Sequence, residues 1–245
     1  MRGLGLGLGF HRGRRGNTFN IADVALGAKG FYLDPLDLTT LFQDDGATTP
    51  VTSTGQGVGT WLDGSSASID FTQSVSGSRP TYIGADFDGA ASILTDGADD
   101  SLSAVFSGSA GPSAASLFLA VLHTGTGNFV TFMSGANDET AVNGENGATG
   151  AAVAINTGSP TPTMSVDGAV VANQDEAYDA LTDGEWHLVE LSGADFSLWE
   201  GFQIASFAFG YRFSGRIGRL VVIETADLTT DIRTDLIGWV QKGYS

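Results

Sequence analysis

Cysteine, positive charge and long apolar stretches are scarce or absent in this sequence. None of the 245 residues is Cys, which excludes a disulfide framework, Cys-ligated zinc and a Cys nucleophile. Lys and Arg number 11 against 28 Asp and Glu, which gives a net charge of -17 at pH 7. A domain with this charge balance is not predicted to bind nucleic acid, because phosphates need cations.

The apolar stretches are too short for a membrane span. The longest strong one covers residues 117–122, whereas a spanning helix needs about 20 residues, so we expect no membrane insertion. The N-terminus is not predicted to be a signal peptide, since Gly interrupts its Leu stretch and the basic cluster follows that stretch. Glycine is abundant, with 35 of 245 residues. This composition indicates an acidic, Gly-rich, all-β protein.

Positive charge is concentrated at the N-terminus. Residues 1–29 hold five of the 11 cations, whereas residues 30–211 hold 23 acidic residues and one cation, Arg79. Within the first ten residues Leu and Phe alternate with Gly, which places the apolar side chains on one side of an extended chain. We therefore predict that residues 1–29 form an extended basic arm for assembly. Its predicted contact residues are Arg2, Leu4, Leu6, Leu8, Phe10, Arg12, Arg14 and Arg15.

The sequence leaves two interpretations of this arm open. It is either a disordered tail or a segment that adds as a strand to a neighbouring subunit, with its Leu side packed and its Arg cluster on an acidic surface. The acidic body supplies such a surface, which favours self-assembly or docking on a larger particle. No aromatic platform accompanies the Arg cluster, which weighs against a nucleic-acid role.

The remaining chain has the pattern of many short strands. Residues 116–122 are almost entirely apolar, as expected for a central strand buried on both faces. Residues 186–191 alternate between two faces, and Asp167-Gly168 is a hairpin signal. Regular turn signals without a strand–helix rhythm predict a two-sheet sandwich or a barrel.

A helix is predicted at the C-terminus, over residues 230–242. Thr229 or Thr230 can cap its start, and Gly243 can end it. One face carries four apolar residues, and we expect the helix to dock on the sandwich through Trp239. These residues are Ile232, Leu236, Trp239 and Val240.

Three stretches, in order, resemble the concanavalin A-like lectin/laminin G-type jelly roll. The first is Phe-Asp-Gly at 87–89 with Asp-Asp-Ser-Leu at 99–102. The second is Val-Asp-Gly at 166–168 with Gly-Glu-Trp-His at 184–187. The third is Phe-Ser-Gly-Arg-Ile-Gly-Arg-Leu at 213–220 with Leu-Thr at 228–229 and the final helix. The part before them is similar to lead-in segments on such modules in tailed-phage virion proteins, at 37–44, 48–51, 58–63 and 78–80.

The resemblance implies an antiparallel two-sheet jelly-roll sandwich over residues 30–245, with a lead-in segment at 30–80. It also implies either glycan binding at loops or an architectural role. Retaining glycosidases on this fold carry Glu-x-Asp-x-x-Glu, which places nucleophile and acid on one face about 5 Å apart. That pattern is absent from this sequence. We therefore predict that the protein is not an enzyme, and that His123 and His187 are structural.

Loop residues are the candidates for glycan binding. Trp199, beside Ser197 and Glu200, is the tryptophan least committed to the core by its sequence setting. The other candidates are Asn137, Asp138 and Asn143.

Acid-rich loops also raise the question of Ca²⁺, since they supply hard oxygen ligands. The clusters are Asp96 with Asp99 and Asp100, residues 137–139, and Asn143 with Glu145 and Asn146. Solvated loop caps and Asx turns are the favoured interpretation, so no cofactor is predicted.

Two classes of function follow. The first is a virion structural protein, a lectin-like module of a phage tail fibre or spike that contacts host surface polysaccharide. Its arm would bind other copies of the chain, with a trimer favoured, and other virion proteins. The alternatives are a capsid decoration protein and a free carbohydrate-binding module. The expected location is the tail or capsid surface of a virion, after synthesis in the host cytoplasm.

Overall fold

The computed structural model describes residues 19–84, 90–106, 111–127, 129–135, 141–149, 153–154, 162–205 and 212–244. Its strands, in chain order, are β1 (Phe31–Leu33), β2 (Leu41–Phe42), β3 (Thr60–Trp61), β4 (Phe71–Thr72), β5 (Thr81–Ile83), β6 (Ser92–Asp96), β7 (Leu102–Val105), β8 (Ala115–His123), β9 (Phe129–Gly135), β10 (Ala141–Glu145), β11 (Val153–Ala154), β12 (Thr163–Val166), β13 (Ala169–Val171), β14 (Trp186–Ala194), β15 (Gly201–Ile204) and β16 (Ser214–Glu224). The helices are α1 (Gln174–Leu181) and α2 (Thr230–Gln241).

The described strands form two antiparallel sheets that pack face to face. Sheet 1 has the order β13-β12-β14-β8-β16-β6-β5, with β1 also paired to β16, and sheet 2 has the order β11-β10-β9-β15-β7-β4-β3-β2. The ring of Phe31 in sheet 1 lies 5.5 Å from that of Phe71 and 5.2 Å from that of Phe202 in sheet 2. These rings belong to the main core between the sheets. The all-β, two-sheet class predicted from the sequence is confirmed.

The strand β8 is buried on both faces, as its apolar run predicts. Leu117 and Leu119 belong to the main core, whereas Phe118 and Ala120 belong to a second core on the outer face of sheet 1. The neighbouring strand β14 shows the predicted alternation too, because Leu188 lies in the second core while Val189 and Leu191 lie in the main core. The period of two thus places one sheet between two apolar layers.

The helix α2 covers the second core, within one residue of its predicted bounds. Leu236 and Val240 are fully buried. Trp239 is half-buried and packs against the second core, so the expectation that the helix docks on the sandwich through this residue is confirmed. Its ring lies at the margin, 5.8 Å from the ring of Tyr32 and 4.6 Å from the guanidinium carbon of Arg219. Among the described residues, no helix has the length and apolar character to cross a membrane.

The N-terminal segment from Phe19 belongs to the folded body, which corrects the predicted arm boundary. Ile21 is 6% exposed and Leu26 is 5% exposed, and both pack in the second core. The Lys29 backbone N–H donates to Glu224 Oε1 at 3.0 Å. An arm is therefore limited to residues 1–18. These lie outside the described residues, as do all eight of the predicted arm contacts.

The short helix α1 is not predicted by the sequence analysis, and it lies at one edge of the sandwich. It contacts β9 and β10 of sheet 2 and β12 and β13 of sheet 1. Its buried residues, Ala177 and Leu181, belong to the main core. Because β13 and β11 end their respective sheets, α1 closes the core between those two edges.

Candidate functional site

A row of small polar side chains crosses the outer face of sheet 2. Residues directly opposite one another in antiparallel strands share a face. Such pairs join Ser134 to Gln203, Gln203 to Ser103, Ser103 to Thr72, and Thr72 to Thr60. At about 4.8 Å per strand, these five residues span about 19 Å. We call them the polar row.

The centre of the polar row is accessible to solvent, whereas its ends are not. Gln203, Ser103 and Thr72 are partly exposed. Thr60 is 2% exposed and Ser134 is fully buried. All five side chains are uncharged hydroxyls or an amide, which donate and accept hydrogen bonds without a net charge. The three central side chains can therefore bind polar, neutral groups along one line, whereas the two buried ends cannot.

The polar row ends at an apolar groove on the edge of sheet 2. Phe42 lies directly opposite Thr60 and continues the row. The groove has a volume of about 580 Å³. It is lined by Leu38, Thr39, Phe42, Pro50, Val51 and Thr52, and we call it the edge groove.

The glycan-binding residues predicted from the sequence do not form a site among the described residues. Trp199 is 2% exposed, and its ring lies 4.8 Å from that of Phe196 and 5.2 Å from that of Phe202. It is a core residue, so its prediction as a glycan contact is wrong: the apolar setting of this turn outweighs its polar sequence neighbours. Asn137 and Asp138 lie outside the described residues. Asn143 lies in β10 opposite Thr131, and its side chain is not described.

An acidic cluster lies in the loop that joins sheet 1 to sheet 2. One carboxylate oxygen from each of Asp96, Asp99 and Asp100 lies within 4.8 Å of the others. Burial raises the pKa of Asp100 to about 6, and the charge of Asp96 adds to this rise. Calcium takes six to eight oxygen ligands. Three carboxylates alone do not complete such a shell.

The Asp99 carboxylate of this cluster accepts a hydrogen bond from Ser78 Oγ at 2.7 Å. The Asp96 Oδ1 atom accepts the N–H of Ala98 at 2.8 Å. The Asp96 bond is that of an Asx turn, and the Asp99 bond joins two loops. Such local hydrogen bonding is the interpretation that the sequence favours for this cluster.

His187 is held by carboxylates at both ring nitrogens. Nδ1 lies 2.7 Å from Asp167 Oδ2, and Nε2 lies 2.7 Å from Asp183 Oδ1. Burial lowers the pKa of His187, but its hydrogen bonds to the two carboxylates and their charges outweigh that effect, so the pKa is raised overall. Because both nitrogens are engaged, neither is free to take a proton from a substrate. His187 is thus a buried, hydrogen-bonded side chain, and its structural role stays a prediction.

Comparison of this chain with known proteins gives no match. No family model, curated protein or solved structure matches it. The candidate site therefore depends on the geometry of the fold alone.

Sequence reasoning missed the polar row and the edge groove. Ser103 and Gln203 are 100 positions apart in the chain, and only strand pairing makes them neighbours. The one available signal is local: in β7, buried Leu102 and Ala104 alternate with Ser103 and Val105 on the opposite face. That pattern marks a sheet with one core face and one exposed face.

Proposed function

We propose that this protein is a non-enzymatic virion structural protein, a lectin-like module of a phage tail fibre or spike that binds host surface glycan through the outer face of sheet 2. Its sandwich is proposed to be a jelly roll of the concanavalin A-like/laminin G-like type. The observation that carries the proposal is the polar row, an uncharged line of hydrogen-bonding groups with a solvent-accessible centre on a regular sheet.

The chemistry of the polar row favours a neutral polysaccharide as ligand. Sugar hydroxyls donate and accept hydrogen bonds, and the hydroxyl and amide groups of Ser103, Thr72 and Gln203 complement them. The net charge of -17 repels an anionic polymer at long range. A ligand that extends along the row can contact several strands, which gives many weak contacts rather than one deep pocket.

The virion setting is supported by two features of the sequence. The segment 30–80 is similar to lead-ins of phage virion modules, and residues 1–18 keep the Leu/Gly alternation and the Arg cluster expected of an assembly arm. The non-enzymatic assignment is supported by the sequence, which lacks the Glu-x-Asp-x-x-Glu pattern of retaining glycosidases on this fold.

Binding to immobilised bacterial surface polysaccharides, neutral and anionic, tests the glycan part of this proposal. Ser103→Lys places a long charged side chain in the centre of the polar row, and Gln203→Ala removes its amide. We expect at least a tenfold loss of affinity for a neutral polysaccharide in both variants. The matched control is Val170→Lys, at an exposed position of β13 in sheet 1. Equal binding by Ser103→Lys and the control, or no binding to any polysaccharide, would contradict the glycan proposal.

Gold-labelled antibody against the chain, imaged on intact particles, tests the virion part. Label at the tail tip supports the tail-fibre proposal. Label over the head supports the alternative of a capsid decoration protein. If no particle is labelled, the virion proposal fails. If the chain then still binds polysaccharide, the alternative of a free carbohydrate-binding module is supported.

A further inference from the structure

The edge groove is an apolar surface at the margin of sheet 2. Val51 is 1% exposed, and Leu38 packs partly against the main core. Phe42 is half-buried, and Pro50 and Thr52 are exposed. The groove thus presents apolar side chains that the described part of the chain leaves accessible to an apolar partner of the right shape.

The backbone at this edge is already bonded, which limits how a partner can bind. Gln43 N–H donates to Thr49 O at 2.7 Å, and Val51 N–H donates to Leu41 O at 2.9 Å. Pro50 has no N–H, and its carbonyl accepts from Gln43 Nε2 at 3.0 Å. Proline at a sheet edge opposes the addition of another strand. A partner must therefore bind here through its side chains.

We propose that the edge groove binds the apolar side of the N-terminal arm, residues 4–10, of a second copy of this chain. This inference deepens the assembly part of the proposed function and depends on it. In an extended chain the four apolar residues of the arm are spaced about 6.8 Å apart and cover about 20 Å. The Gly residues between them have no side chains, so the opposite side of an extended arm would carry none. These apolar residues are Leu4, Leu6, Leu8 and Phe10.

Charge complementarity supports this occupant. Asp37 directly precedes the groove residues, and Asp44 and Asp45 lie in the turn that joins Phe42 to Pro50. Backbone N–H groups of that turn, those of Thr48 and Thr49 among them, bond the Asp44 carboxylate and hold its pKa well below its usual range.

One cation opposes this acidic surface. The Arg79 guanidinium donates to Gln43 O at 2.7 Å. Three carboxylates against one guanidinium still leave the rim negative. The arm carries Arg12, Arg14 and Arg15 immediately after its apolar part.

A neighbouring copy is favoured over the arm of the same chain because of where the body begins. Phe19 packs against the second core on the outer face of sheet 1, whereas the edge groove lies at the edge of sheet 2. The arm therefore starts beside a different sheet from the one that carries its own groove. Contacts between an arm and a groove are heterologous, and they close into a ring when the rotation between copies permits. A trimer, as predicted, is one such ring.

Complementation between two full-length variants tests the proposal. The arm variant carries Leu4→Ser, Leu6→Ser and Leu8→Ser, and the groove variant carries Thr39→Lys and Thr52→Lys at two exposed positions. We expect the wild type to be oligomeric by light scattering and each variant alone to dissociate at least tenfold more readily. An equimolar mixture should form heterodimers, because one intact arm then meets one intact groove. Val170→Lys is the matched control and should remain oligomeric.

Cross-linking provides a second measurement, since the chain has no native Cys. A Leu6→Cys chain mixed with a Thr39→Cys chain should give a mixed dimer with a short bismaleimide. A monomeric wild type, or a mixture that forms neither heterodimers nor cross-links, would overturn the inference. If a chain carrying both Cys residues cross-links only within itself, the groove binds its own arm and the second-copy proposal is wrong. Polysaccharide binding by the dissociated variants is measured separately. A failure of the glycan proposal can therefore be distinguished from a failure of the assembly proposal.

Discussion

The outer faces of the two sheets differ in what lies on them. On sheet 1, Phe118, Val221 and Ile223 form an apolar layer that α2 and the N-terminal segment cover. On sheet 2, the corresponding face carries Ser103 and Gln203, which remain partly exposed. The same strand geometry therefore serves two purposes. One outer face adds a second core to the fold, and the other leaves hydrogen-bonding groups partly exposed, where we propose that a glycan binds.

The largest expected contrast between the two faces is in stability. Leu236 of α2 is fully buried in the second core, and Leu236→Ala should reduce the free energy of unfolding by about 3 kcal/mol, because it removes apolar contacts and leaves a cavity. Ser103→Ala on sheet 2 should change it by less than about 0.5 kcal/mol. Urea denaturation at pH 7 measures both. Similar losses for the two variants would show that the outer face of sheet 2 is also covered.

The covered face contains a buried carboxylate, which gives the next prediction. The Glu190 side chain is 4% exposed and is bonded to the guanidinium of Arg233, with Nε donating to Oε1 at 2.8 Å. Arg233→Met should reduce the free energy of unfolding by about 2 kcal/mol, since it leaves a buried carboxylate without its cation. Glu190→Gln in the same chain should recover much of this loss. A denaturation cycle of the two single variants and the double variant measures the coupling, and additive losses would contradict it.

Local periodicity was enough to predict much of sheet 1. The apolar run of β8, the alternation of β14 and the spacing of Leu236 and Val240 in α2 all reflect contacts that repeat along a single element. The Asp167-Gly168 turn was also predictable, because its φ values of 49° and 82° are those that Asp and Gly tolerate. Such signals show which residues face a core, but they do not identify the partner strand.

The helix α1 shows a signal that periodicity missed. It has eight residues and two buried side chains, too few for a clear apolar stripe. Its start is nevertheless marked, since Asn173 Oδ1 accepts the Glu176 N–H at 2.9 Å and the Glu176 carboxylate accepts the Ala172 N–H at 2.8 Å. Asn-x-x-Glu is the pattern of a capping box. The polar row carries no such local mark, because it depends on the register of distant strands.

The rim of sheet 1 gives a pH-dependent prediction that contrasts with the uncharged polar row. The folded pKa of His187 is raised, so the stability from its charged form is fully present below about pH 6.5, the ordinary His pKa, and is lost as the pH rises through the folded pKa. His187→Gln should therefore reduce the free energy of unfolding by about 1.5 kcal/mol at pH 6, and by less at pH 9. The carboxylates of Asp167 and Asp183 are about half exposed, which limits the effect. A loss that stays constant from pH 5 to pH 9 would contradict this assignment.

The smallest expected effect belongs to the loop between the sheets. There a substitution should raise the free energy of unfolding, whereas the substitutions above lower it. The folded pKa of Asp100 is about 6, above its ordinary value of 3.8. The folded state therefore binds the proton more tightly, and the contribution of Asp100 to stability falls as the pH rises from about 4 to above 6. Asp100→Asn should raise the free energy of unfolding by about 1 kcal/mol at pH 7 and leave it nearly unchanged at pH 4. Thermal melts at the two pH values measure this difference. If added Ca²⁺ raises the melting temperature of the wild type but not of Asp100→Asn, the acidic cluster is a cation site, and the charge repulsion inferred here is relieved by the ion.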